Sequence, residues 1–295
     1  MVSKIHRILY ATDLSTNSIC AFHYAIHHAT QHEAIVIERS GLRMKISVCG
    51  KGGSGKSTVV SLMANAAQAK GLKTLVVDSD ESNSGLFRML GFTEPPIPLM
   101  VLVGGKESIK EKMSQPSILS ETEITLKQIP YPYISKKNGL CLISIGKIHQ
   151  ALEGCACPMG VLSREFLKKL RLEDNEIAIV DMEAGVEHFG RGIDVSIDTV
   201  LMVVEPSLES ITLAEKIKSL ASGLNKDLWA VENKIGSENL GQKLKHELKK
   251  RGIDTIGLIP NDSAVFEACL EGHALGQGDA YHSAEKILDC ILSNR

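Results

Sequence analysis

The stretch GKGGSGKST, residues 50–58, sets four glycines (Gly50, Gly52, Gly53, Gly55) among two lysines (Lys51, Lys56) and three hydroxyl residues (Ser54, Ser57, Thr58). Glycines at this density let successive backbone N–H groups turn inward around an anion. A lysine at position 56 can bridge the β- and γ-phosphates of a nucleotide, and a serine hydroxyl at 57 can ligate Mg²⁺. The string fills every fixed position of G-x-x-x-x-G-K-[ST]. It also follows an apolar strand, ISVC (46–49), and opens a helical run, STVVSLMANAAQAK (57–70). That setting turns the pattern into a phosphate-binding loop, with the helix N-terminus adding partial positive charge.

Other residues carry chemistry of their own. VVDSDESNS (76–84) ends an apolar run in Asp78 and Asp80, two apart and so on one side of a strand. IAIVDMEAG (177–185) ends another in Asp181. EGCACPMG (153–160) places Cys155 and Cys157 one residue apart with Pro158 behind them. Thiolates are soft ligands suited to Zn²⁺, Ni²⁺ or iron–sulfur clusters, but a closed tetrahedral site takes four ligands. The pair is therefore half of a metal site, or two packing cysteines before a helix. His188 stands in a polar segment as a hydrogen-bonded residue or an extra ligand. His23/His27 and His28/His32 are each four apart on an expected helix, a spacing that can chelate a metal but more often leaves solvated histidines.

The elements that position these groups follow from periodicity. KTLVVDSD (73–80), CLISIG (141–146), EIAIVD (176–181), TVLMVVE (199–205), DLWAVE (227–232) and DTIGLIP (254–260) join ISVC as expected strands. Most are unbroken apolar runs, as in a sheet covered on both faces. Helical runs at 163–170, 208–221, 241–251 and 283–293 alternate with them. The expected fold is α/β, a doubly wound and mostly parallel sheet. Residues 92–140, rich in proline, form an irregular excursion with a helix or two.

The chain has 295 residues, 43% hydrophobic and 23% charged, with net charge −2. A charge so close to zero gives no argument for nucleic acid or an anionic membrane as partner. No apolar run approaches the roughly 18 residues of a membrane span. Seven cysteines, an odd number scattered along the chain, do not make a disulfide framework. The expectation is a cytoplasmic protein with reduced thiols.

Lys51 is not required by an ordinary phosphate loop. With it the core reads KGGSGKS (51–57), which resembles the deviant Walker A family of MinD-like ATPases. That resemblance implies a P-loop NTPase fold and ATP hydrolysis by a homodimer, with Lys51 reaching the partner's nucleotide. It further implies that Asp80 orients the attacking water and that Asp181 holds Mg²⁺ through water. ENK (232–234) and IPND (259–262) then provide Asn233 for the adenine edge and Pro260 for its face. A twofold dimer would also bring two copies of Cys155 and Cys157 together, giving four thiolates for Ni²⁺ or Zn²⁺.

CACP and the long string DMEAGVEHFGRG (181–192) narrow the likeness. They resemble the CooC-type accessory ATPases for nickel insertion into carbon monoxide dehydrogenase, which implies that enzyme as client. A MinD/ParA-type positioning ATPase and an electron-transfer ATPase like the nitrogenase iron protein are the alternatives. The tail AEKILDCILSNR (284–295) reads as a packing helix rather than a basic membrane anchor. Residues 7–36 resemble the opening strand and helix of universal stress proteins, with Asp13 at the strand end. The expected division is thus 1–43, a short strand–helix extension, and 44–295, the ATPase domain.

Overall fold

A strand whose every residue is buried must be covered on both faces, and two strands at the centre of this protein meet that condition. The computed structural model describes residues 7–10, 35–38, 41–112, 119–147, 157–185, 196–223 and 226–294. Its main sheet contains β3 (Arg43–Gly50), β4 (Lys73–Asp78), β5 (Ser135–Lys137), β6 (Leu140–Ser144), β7 (Glu176–Asp181), β8 (Thr199–Val204), β9 (Asp227–Ile235) and β10 (Thr255–Pro260). β7 and β8 are buried throughout, which explains their unbroken apolar runs. The strand order is β10-β9-β8-β3-β7-β4-β6-β5. β3 pairs parallel to β8, β4 to β6, and β9 to both β8 and β10, while β5 returns antiparallel on the edge. The sheet is therefore the mostly parallel, doubly wound one expected.

Among the described residues the helices are α1 (Lys56–Ala69), α2 (Leu86–Met89), α3 (Leu99–Leu102), α4 (Gly105–Lys112), α5 (Cys157–Lys169), α6 (Leu208–Gly223), α7 (Glu238–Lys250), α8 (Ser263–Glu271) and α9 (Asp279–Ser293). α1 buries Val60, Met63, Ala64 and Ala67, the stripe its spacing predicted. α9 buries Ile287, Leu288 and Ile291, so the tail is a packing helix. No helix among the described residues is long and apolar enough to cross a membrane.

β3 lies between β8 and β7, strands that arrive much later in the chain. In open α/β sheets the crevice beyond the carboxyl ends of such strands receives ligands, because the connections diverge there. The glycine-rich loop leaves β3 at this point.

The chain divides into two compact units. One comprises Met44–Leu172 with Ile177–Arg295, and the other takes in the residues up to Arg43 with Glu173–Glu176. Within the latter, β1 (Arg7–Tyr10) pairs parallel to β2 (Ile35–Glu38), Arg7 opposite Ile35 and Tyr10 opposite Glu38. The helix expected between them, with His23, His27, His28 and His32, and also Asp13, lies outside the described residues.

Candidate functional site

The phosphate loop turns tightly because its glycines permit it. Gly50, Gly53 and Gly55 hold φ of 151°, 79° and 93°, conformations that a side chain would strain. A Cβ on Gly50 would stand 2.6 Å from the carbonyl oxygen of Val203. The loop closes as Ser54 N–H donates to Lys51 O at 3.1 Å, and Gly55 caps α1. Lys56 opens that helix and is buried, 6% exposed. The Ser54 hydroxyl is buried with no protein partner.

Behind the loop the structure gathers the acidic strand ends. Ser57 Oγ donates to Asp181 Oδ2 at 2.6 Å, and Asn83 Nδ2 donates to Ser57 Oγ at 2.6 Å. Asp181 is wholly buried, and burial pushes its pKa up to about 7, with Asp78 and Asp80 adding to the rise and Ser57 and Lys56 opposing it. Burial likewise pushes Asp78 up to about 6, against the pull of Lys147, whose Nζ lies 2.7 Å from Asp78 Oδ2. Asp80 Oδ1 accepts from Ser82 N at 3.0 Å and Ser82 Oγ at 2.6 Å, which aims its carboxylate. Asp181 Oδ1 and Asp78 Oδ1 are buried without protein partners. Hard oxygen donors beside the phosphates are what Mg²⁺ takes, so Ser57 and Asp181 could hold it.

In front of the loop a cavity of about 360 Å³ joins Gly53, Gly55, Lys56, Ser57 and Thr58 to Asp80, Asn233 and Pro260. Residues far apart in sequence thus share one cleft. Asn233 is buried and its Nδ2 donates to Ser54 O at 2.8 Å, pinning the loop from the side. Phe266 of α8 also lines the cleft yet is 54% exposed. Lys51 turns elsewhere. Its Nζ pairs with Glu205 Oε1 at 2.9 Å, while Lys234 approaches the other oxygen at 3.8 Å. The Glu205 hydrogen bond raises the Lys51 pKa.

Asn83, Lys147 and Glu205 were not singled out from sequence. Each had a faint signal: Asn83 lies inside the string VVDSDESNS, and Lys147 and Glu205 are charges just after buried strands. Cys155, the side chain of Cys157 and His188 lie outside the described residues. Among the described residues no group of three or more His, Cys, Asp or Glu forms a metal cage.

A glycine loop on a helix N-terminus, an acidic strand end against its serine and a walled cleft beside it define a P-loop nucleotide-binding protein. Residues 46–275 match the CobQ/CobB/MinD/ParA nucleotide binding domain, and the chain belongs to this MinD/ParA family of P-loop ATPases. It is 42% identical over 236 residues to an uncharacterised ATP-binding protein of Methanocaldococcus jannaschii, covering 79% of this chain and 94% of that one. It is 31% identical over 231 residues to the carbon monoxide dehydrogenase accessory protein CooC of Rhodospirillum rubrum, covering 76% and 86%. The fold matches the septum site-determining protein MinD complexed with Mg-ADP from Pyrococcus horikoshii OT3, with TM-score 0.64 and 18% identity over 85% of this chain and 96% of that one.

Proposed function

We propose that this ATPase is a homodimeric metallochaperone that assists nickel insertion into carbon monoxide dehydrogenase during maturation of its nickel–iron–sulfur cluster. The likeness to CooC carries the reading, and the Cys155/Cys157 pair in the sequence supports it. Residues 44–295 form the ATPase domain, and 1–43 a universal-stress-protein-like fragment.

In this reading the loop amides and Lys56 hold the β- and γ-phosphates, with Ser54 and Thr58 beside them. Ser57 and Asp181 hold Mg²⁺, which neutralises charge on the phosphates. Asp80 orients the water that attacks the γ-phosphorus, and Lys51 of each subunit leaves Glu205 for the nucleotide of the other, as a finger supplied in trans. Asn233 and Pro260 receive the adenine. Nickel is cargo, held as Ni²⁺ (or Zn²⁺ in its stead) by two copies of Cys155 and Cys157, and released when hydrolysis relaxes the dimer.

The test is metal titration with separation by size, on wild type, Cys155→Ala and Cys157→Ala, with Ni²⁺ and Zn²⁺ in the presence of ATP. The expected result is one ion per two chains in wild type and its loss in both variants. Wild-type affinity in both variants overturns the shared thiolate site. Iron and a brown colour after anaerobic purification would replace this reading with the electron-transfer one.

A further inference from the structure

We propose that Lys147 is a positioning residue for ATP hydrolysis, holding the loop that bears Asp80 and Asn83 in register with the phosphate site. Its ammonium group has three N–H bonds, and all three find acceptors. One is Asp78 Oδ2 at 2.7 Å; the others are the backbone carbonyls of Asp80, at 2.5 Å, and of Asn83. A lysine that served only to neutralise Asp78 would need the first contact alone. The other two grip the loop itself, on either side of the turn made by Ser82.

The grip has a rigid base and a destination. Lys147 follows β6, where Ile145 N–H donates to Asp78 O at 2.9 Å. A Cβ on Gly146 would stand 2.5 Å from Met159 Sδ, so α5 wedges the backbone that carries the lysine. From the gripped loop, Asn83 donates to Ser57 Oγ and Ser57 to Asp181, each at 2.6 Å. An unbroken line of hydrogen bonds therefore runs from the end of β6 to the serine of the phosphate loop. Lys147 touches none of the residues that make the phosphate cradle, so its loss should disturb the alignment of the reacting groups rather than the binding of nucleotide.

The inference rests on the reading of Asp80 as the water-orienting group, and the experiment separates the two. Steady-state ATPase kinetics are measured on wild type, Lys147→Met, Asp80→Asn and the double variant Lys147→Met/Asp78→Asn, with sites counted by nucleotide titration. The double variant removes both partners of the buried ion pair, so no unpaired charge remains to unfold the protein. The expected result is a fall in kcat of roughly 10- to 100-fold in both Lys147 variants, the scale of a misplaced reacting group, with nucleotide affinity near wild type. A double variant that folds and turns over at the wild-type rate shows that Lys147 only balances Asp78, and overturns the proposal. A loss of nucleotide affinity at unchanged kcat overturns it as well. If Asp80→Asn keeps full rate while the Lys147 variants fall, the role of Asp80 is refuted and the grip of Lys147 on the loop stands.

Discussion

Gly55→Ala offers the sharpest test of how the phosphate loop is held. Gly55 sits at φ 93°, and an alanine in a left-handed conformation costs about 1–2 kcal/mol. The new methyl group would also land on Asn233 Nδ2. Asn233 must then swing away and give up its 2.8 Å bond to Ser54 O, at a residue only 4% exposed. A buried group left without its hydrogen bond costs about 1–3 kcal/mol. The sum is about 2–5 kcal/mol, a large share of the roughly 5–15 kcal/mol that holds a typical domain together. Urea denaturation of Gly55→Ala, Asn233→Ala and the double variant measures it. Truncating Asn233 already forfeits the bond and removes the clash, so the double variant should cost less than the sum of the singles by about 1–3 kcal/mol. Strict additivity, or a cost below about 0.5 kcal/mol for Gly55→Ala, would refute the account.

Four further outcomes are expected. Asp181 holds its proton up to about pH 7 when folded, against 3.8 as a free side chain, so the native state binds a proton that the unfolded chain has lost. The nucleotide-free wild type should therefore lose stability relative to Asp181→Asn as pH rises from about 4 to 7, and a difference in thermal midpoints that stays constant with pH would contradict this. Leu288→Ala, at a fully buried position of α9, should lower unfolding free energy by about 2–5 kcal/mol in a denaturant titration. Lys51→Ala should abolish ATP-dependent dimerisation in light scattering and lower turnover while the isolated chain still binds nucleotide; a dimer that persists refutes the role in trans. A chain starting at Met44 should keep ATPase activity and dimerisation, and loss of both would show the first 43 residues to be integral.

What could be read from the sequence follows physical lines. The phosphate loop is legible because its function resides in one local string. β7 and β8 are legible because burial on both faces leaves unbroken apolar runs, residues 177–180 and 200–204, with polar residues only at the strand ends. β5 is not: Ser-Lys-Lys on an antiparallel edge, with both lysines exposed, carries no apolar pattern. α8 was missed for a similar reason, since none of its residues is buried, although Asp262 caps it by accepting from Ala264 N at 2.9 Å. α5 starts at Cys157, six residues before the expected 163, because Pro158 suits a first turn, where its missing N–H costs nothing. Lys147 and Asn83 stayed hidden because their partners are set by which strands lie side by side. β6 lies against β4 in the sheet, Ser144 opposite Asp78, and no periodicity along the chain encodes that adjacency.

Strand adjacency also explains where Lys51 rests. β3 and β8 pair with Gly50 opposite Val203. Lys51 is one residue beyond that pair and Glu205 two beyond it, so strand register alone brings the two charges together at 2.9 Å. The lysine side chain is 37% exposed and that of the glutamate 19%, so water screens the pair in part and its contribution to stability is modest. Lys234, 3.8 Å from the same carboxylate, would stay behind to balance Glu205 when Lys51 leaves. In the proposed dimer, exchanging this contact for a phosphate of the partner's nucleotide would break no strong bond and strand no buried charge. A glutamine at Glu205 should consequently leave the fold intact and make ATP-dependent association of two chains easier, seen as a lower protein concentration at half-dimerisation. An unchanged midpoint would mean that the contact with Glu205 does not restrain Lys51 at all.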